Sequence, residues 1–226
     1  MRFGTDDKRT VIFDGAMGTM LQKRGLKSGG IPELLNLTDP ELIRSIHEEY
    51  LDAGCDVVSA NTFGANRFKA EKAGRPLEDI VSSGVMIAKS AASARRGKFT
   101  ALDIGPCGRV LRPVGDLPFE EAVGVFAEIV RAGTAAGADL ILLETFTDLY
   151  ELKAAMIAAK ENSDLPVLAT MSFEENGTSF FGATVESMVM TLQSLGADAL
   201  GVNCSLGPGQ LVPIVERILR SSSIPV

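Results

Sequence analysis

The chain has 226 residues, 46% hydrophobic and 23% charged, which is enough apolar material for one sizeable core and no signature of disorder. A net charge of −7, a pI near 4.9 and no basic cluster larger than Arg95-Arg96 argue against nucleic acid as a partner. No apolar run has membrane-spanning length, the polar N-terminus is no signal peptide, and three widely spaced cysteines make no disulfide framework, so a cytoplasmic protein with one domain over residues 1–226 is expected.

Val11–Asp14 reads as a short apolar strand ending in an acid. A Gly- and Lys-rich stretch to Pro32 follows, as a long loop or short irregular helix. Thr38 is placed to cap a helix, with Glu41 completing a capping box and Gly54 ending it. Asp56–Ala60 is the second strand, followed by Asn61-Thr62. The unit then repeats. Leu77–Ala94 is helical, and Phe99–Ile104 is the third strand. Phe119–Ala136 is helical, and Asp139–Glu144 is the fourth strand. A helix runs to Asn162, Pro166–Met171 is the fifth strand, and a helix spans Val185–Leu195. Asp198–Asn203 is the sixth strand, and Leu211–Ser221 the last helix. Ser223–Val226 resembles the first residues of a further strand. Three helices enter strands through a Gly-x-Asp phrase, at Gly54, Gly137 and Gly196, each glycine fitting a helix C′ position.

Strand–helix units in series form a closed barrel or an open doubly wound sheet. The Gly15–Thr19 turn does not match a dinucleotide fingerprint, and no Walker-type loop is present. The fold expected is α/β, a (β/α)8 TIM-type barrel that is incomplete, with six βα units and the start of strand seven.

In a barrel, the carboxyl ends of the strands share one opening. They would bring there Asp14 with the Gly15-Ala16 backbone, Asn61, Asp103, Glu144, Asn203 and Cys204. Acids for an ammonium group and backbone N–H groups for a carboxylate suit a small zwitterion. The bland alternative is that Asp14 and Glu144 cap loops or pair with arginines. Cys204 is either a nucleophile or metal ligand, or a small buried apolar residue. The single histidine, His47, reads as a surface residue, so imidazole catalysis is excluded and a metal is the expected activator of any thiol. Cys55 and Cys107 read as structural. No lysine ends a strand, which counts against a Schiff-base aldolase.

The phrases Phe13–Thr19, Ala60–Gly64, Asp103–Pro106, Leu143–Phe146 with Asp148, and Gly201–Pro208 together resemble the homocysteine S-methyltransferase family. The likeness is nearest to the N-terminal homocysteine-binding module of its cobalamin-dependent methionine synthase branch. It implies a zinc site of three cysteines, one matching Cys204 and an adjacent pair expected beyond Val226. It implies that Asp14 and Glu144 contact the homocysteine amino group and that backbone near Gly15 and Ala16 holds the carboxylate, with Asn61 and Asn203 lining the site. The methyl donor implied is methylcobalamin on another module, with a folate-binding module following. Betaine or S-methylmethionine as donor remain alternatives, as does a non-catalytic fragment or subunit completed by a partner.

Overall fold

The computed structural model describes residues 10–27 and 29–226; the polar N-terminus lies outside the described residues. The elements in chain order are α1 (Met17–Lys23), α2 (Leu35–Thr38), α3 (Pro40–Asp52), β1 (Val57–Ser59), α4 (Arg67–Ala73), α5 (Leu77–Ser93), β2 (Phe99–Ile104) and α6 (Phe119–Ala135). They continue with β3 (Leu140–Phe146), α7 (Leu149–Asn162), β4 (Val167–Met171), α8 (Val185–Ser194), β5 (Ala199–Val202) and α9 (Pro208–Ser221). The five strands are parallel, in the order β1-β2-β3-β4-β5. This is the serial βα order expected from the sequence.

The chain divides into two compact units. Among the described residues, one holds residues 10–104 with Glu128–Leu140; the other holds Gly105–Ala127 with Ile141–Val226.

In the first unit, the expected strand at Val11–Asp14 is reduced to a single parallel bridge, Phe13 to Val57. Its backbone bonds are nevertheless strand-like: Asp14 N–H donates to Val57 O at 3.0 Å, and Val57 N–H to Ile12 O at 3.2 Å. A small core of Leu21, Ile43, Ile46 and Ile87 packs α1, α3 and α5 together. Two sequence expectations are corrected here. The cap of α3 is Asp39, whose carboxylate accepts from Leu42 N–H at 3.2 Å, while the Thr38 hydroxyl donates back to Leu34 O. Asp39 directly precedes the Pro40 that starts the helix, and proline is favoured at N1. His47 is not on the surface: it is fully buried on α3, because it follows Ile46 on the inward stripe.

In the second unit, β4 and β5 pair from Leu168↔Ala199 to Met171↔Val202. Phe126 and Phe146 pack with ring centres 6.0 Å apart. The Leu200 N–H donates to Pro225 O at 3.0 Å, so the last residues lie alongside β5 as an incipient strand would.

The Gly-x-Asp phrases set the register of the sheet. Gly54, Gly137 and Gly196 all have left-handed φ, 108°, 94° and 78°, which ends the preceding helix at no steric cost. Two residues later the aspartate reaches sideways to a strand-entry N–H. Asp56 accepts from Ile12 N–H at 3.1 Å, Asp139 from Thr100 N–H at 2.9 Å and Asp198 from Val167 N–H at 2.9 Å. Each is balanced by a lysine, Lys98, Lys89 and Lys160 respectively. Each of these N–H groups lies at a strand entry, where the carboxylate supplies the acceptor it needs.

Two predictions follow from this packing. Replacing Asp139 by Ala leaves the Thr100 N–H and the Lys89 charge without that partner and should cost about 1–3 kcal/mol in urea unfolding; an unchanged midpoint would contradict the assignment. Burial lowers the His47 pKa from 6.5 to about 4, and neither ring nitrogen has a hydrogen-bond partner among the described residues. The unfolded chain therefore binds the proton more readily than the folded one. Stability from neutral His47 is complete above pH 6.5 and lost as pH falls toward 4, on the order of 3 kcal/mol in all. His47→Leu should flatten that part of the stability–pH curve, and an unaltered acid limb would count against the buried neutral imidazole.

Candidate functional site

The carboxyl ends of the strands carry the polar residues singled out in the sequence, and the two units hold different sets. In the first unit, Asp14 ends the bridge to β1. Its carboxylate accepts from the Ser59 N–H and the Ser59 hydroxyl, both at 2.9 Å. Gly15 and Ala16 are exposed beside it. The Tyr50 hydroxyl donates to Ala16 O at 3.4 Å, and a Cβ on Gly15 would lie 2.9 Å from the Tyr50 oxygen, so any larger residue would displace the ring. Burial first, then the negative charge of Asp14, raises the Tyr50 pKa, which keeps the phenol a donor.

Asn61 follows β1 as expected but turns inward. It is buried, and its amide N–H groups go to Pro32 O and Asn36 Oδ1, both at 2.9 Å. Asn36 returns bonds to Asn61 O at 2.8 Å and Ile80 O at 3.1 Å. This pair of asparagines ties the loop after β1 to α2 and α5.

The second unit brings Glu144, Asn203 and Cys204 together. Glu144 is half-buried near the end of β3, and burial raises its pKa. A carboxylate that has lost part of its hydration gains from a cation placed against it. Asn203 follows β5. Its Nδ2 lies 3.3 Å from Glu144 Oε2, 2.7 Å from Thr145 Oγ1 and 3.5 Å from Cys204 Sγ. Its Oδ1 accepts from Thr145 N–H and the Thr170 hydroxyl, both at 3.0 Å. Ser172 on the loop after β4 donates to Asn203 O, and Ser205 Oγ accepts from Phe173 N–H.

Thr145 and Cys204 are the two non-glycine residues with positive φ among the described residues, 63° each. Left-handed backbone costs an L-residue roughly 1–2 kcal/mol, and more discomfort for a β-branched threonine. Both strained residues flank the Asn203 amide. Such strain persists only where the surroundings over-determine it, and it gathers at functional sites. Thr145, Thr170 and Ser59 were not singled out in the sequence. Thr145 lies inside the Leu143–Phe146 phrase, but nothing in a sequence marks a threonine as left-handed.

The three thiols differ sharply. Cys204 is exposed, whereas Cys55 and Cys107 are buried. Burial pushes the Cys55 thiol up to about 11 and the Cys107 thiol up to about 12, the latter helped by Glu151, which also accepts from Cys107 N–H at 2.8 Å. The sequence reading of both as structural agrees with this burial. A zinc site needs three or four protein donors. No three His, Cys, Asp or Glu residues converge to hold a metal among the described residues, and Cys204 offers one thiol. These residues by themselves do not fit a complete zinc centre, although an exposed strand-end thiol fits as one ligand of one. No helix among the described residues is long and apolar enough to cross a membrane.

At neutral pH, iodoacetamide should alkylate Cys204 at least tenfold faster than Cys55 or Cys107, since burial both shields those two thiols and raises their pKa. Peptide mapping over time reads this directly. Comparable labelling of all three would contradict the described burial.

The chain is 32% identical to methionine synthase of Mycobacterium tuberculosis and 30% identical to that of Mycobacterium leprae, over 97% of its length in each case. It spans about a fifth of the length of these curated relatives, 20% in each. The crystal structure of the homocysteine methyltransferase MmuM from Escherichia coli, metallated form, superposes with a TM-score of 0.86 at 21% identity, covering 96% of this chain and 82% of that one. The apo form of the same protein gives a TM-score of 0.77. At that identity the likeness establishes the fold, an α/β architecture of the incomplete-barrel type. The homocysteine S-methyltransferase profile matches residues 11–226. The chain therefore belongs to the homocysteine S-methyltransferase family.

Proposed function

We propose that this chain is a homocysteine-binding methyltransferase module, in which the substrate sulfur is methylated to give methionine. The observation that carries the reading is the pairing at the ends of β3 and β5. An exposed thiol and a half-buried carboxylate both lie within 3.5 Å of a single nitrogen, Asn203 Nδ2. An amino thiol has the complementary ends. Its ammonium would sit against Glu144, and its sulfur would face the Cys204 side.

Glu144 binds and orients. A charge-assisted hydrogen bond to the ammonium is stronger than a neutral one, and it fixes which way the three-carbon chain runs. Asp14, with the Gly15 and Ala16 backbone, is proposed for the same substrate on the strength of the sequence motif, for the amino group and the carboxylate respectively. Asn61 was assigned there too, but its buried amide supports a loop-anchoring role instead.

The thiol itself has an ordinary pKa near 8.5, so little is ionised at neutral pH. The single histidine is buried on α3 and is no base for it. We propose zinc as the group that stabilises the thiolate, with Cys204 as one ligand and its other donors outside the described residues. Such a metal would lower the pKa of the coordinated thiol, which does the work an imidazole base would otherwise do. The methyl donor proposed is methylcobalamin carried by another module, with a folate-binding module beyond it. The identity to methionine synthases supports methionine as the product, and the phrases Asp103–Pro106 and Asn203–Pro208 favour this donor over betaine or S-methylmethionine.

Binding of homocysteine, of its deaminated analogue 4-mercaptobutyrate and of homoserine should be compared by calorimetry on the whole protein, with its further zinc donors, supplied with zinc. Homocysteine should bind tightest. Glu144→Gln should weaken it about 10-fold or more, the worth of a charge-assisted bond, while barely changing the deaminated analogue. Cys204→Ser should weaken homocysteine toward homoserine. Equal binding of homocysteine and its deaminated analogue by the unaltered chain would overturn the role given to Glu144.

A further inference from the structure

We propose that Asn203 is a positioning residue: through the Thr145 and Thr170 contacts of its amide, it holds the Cys204 thiol and the Glu144 carboxylate in one fixed arrangement. The proposal rests on the homocysteine reading for what those two groups bind, but the clamp consists of the chain's own atoms.

The orientation of the amide follows from chemistry. Thr145 N–H can only donate, so the atom facing it at 3.0 Å must be Oδ1. The Thr170 hydroxyl donates to the same oxygen at 3.0 Å, which occupies its second lone pair. Nδ2 must then face the other way. One of its hydrogens makes the short 2.7 Å bond to Thr145 Oγ1. The other lies between Glu144 Oε2 at 3.3 Å and Cys204 Sγ at 3.5 Å. The Asn203 carbonyl is held as well, by the Ser172 hydroxyl at 2.9 Å.

One side chain thus joins the ends of β3, β4 and β5. It bonds Thr145 on both its backbone and its side chain, and it directly precedes Cys204, the two positions where φ is 63°. Its acceptor sites are filled and its donors are directed at the chain, so the amide has nothing left for a ligand. That separates a positioning role from the substrate-lining role read from the sequence. The side-chain type is also constrained. An aspartate would set a second carboxylate against Glu144, and an alanine would release all five contacts.

The test uses the metal-free full chain and the rate at which iodoacetamide alkylates Cys204, followed by peptide mapping across a pH series. The high-pH plateau of that rate reports nucleophilicity independently of ionisation. A hydrogen bond donated to the sulfur lowers its nucleophilicity, so Asn203→Ala should raise the plateau at least threefold. Thr170 bonds to Asn203 Oδ1 and, among the described residues, not to Glu144 or Cys204. Thr170→Val should therefore shift the rate in the same direction by a smaller factor, and Thr170→Ser should match the parent. In the Asn203→Ala background, Thr170→Val should add nothing, because its effect runs through the amide. A purely structural role would instead give independent effects and expose Cys55 and Cys107 together with Cys204. An unchanged plateau in Asn203→Ala, or a Thr170→Val effect that persists without Asn203, would overturn the proposal. Protection of Cys204 by added homocysteine in the parent tests the functional reading separately: its absence would sink that reading and leave the clamp standing.

Discussion

The sheet depends on carboxylates that satisfy N–H groups at the strand entries. A one-residue slip would turn every side chain to the opposite face. Asp56, Asp139 and Asp198 each supply one of these acceptors and fix the entry point of the strand beside them. The preceding left-handed glycine ends the helix just before, so the chain arrives at the aspartate in one geometry. Register set at the amino ends decides what emerges at the carboxyl ends. Glu144 lies five residues after Asp139, and Cys204 lies six after Asp198. A slip at either entry would carry the carboxylate or the thiol out of its cluster.

The opposite ends are built differently. There, stability is given up locally. Thr145 and Cys204 hold backbone conformations that cost energy, Glu144 is a carboxylate deprived of part of its water, and a thiol is left exposed. The hydrogen bonds that offset these costs converge on one amide. This is the distribution expected of a binding site on a rigid scaffold: helix-packed, register-locked strands below, and a strained polar cluster where the loops begin.

Much of the scaffold was legible in the sequence, because it is written in short-range rules. Apolar runs gave the strands from Val57 to Val202, and the Gly-x-Asp phrases marked the helix-to-strand joints. Where a rule had two candidates, the choice failed. Thr38 and Asp39 both suit an N-cap, and the proline at 40 decided for Asp39. His47 lies among charged residues in sequence, but helical spacing places it beside Ile43 and Ile46 on the buried stripe. The site was legible in its members and not in its wiring. Glu144, Asn203 and Cys204 stand in recognisable phrases. The inward turn of Asn61 depends on its pairing with Asn36, 25 residues away, and the use of Asn203 depends on Thr145 and Thr170, 58 and 33 residues away. Such pairings arise from tertiary structure, and no local pattern announces them.

The central claim is that Glu144 and Cys204 face the two ends of one amino thiol. The most direct measurement is a crystal structure of the whole protein, with its further zinc donors, grown with homocysteine and zinc. The account predicts the ammonium against the Glu144 carboxylate, the sulfur on the Cys204 side and the Asn203 amide unmoved. Homocysteine bound elsewhere, or absent at saturating concentration while Glu144 and Cys204 stay unliganded, would contradict it.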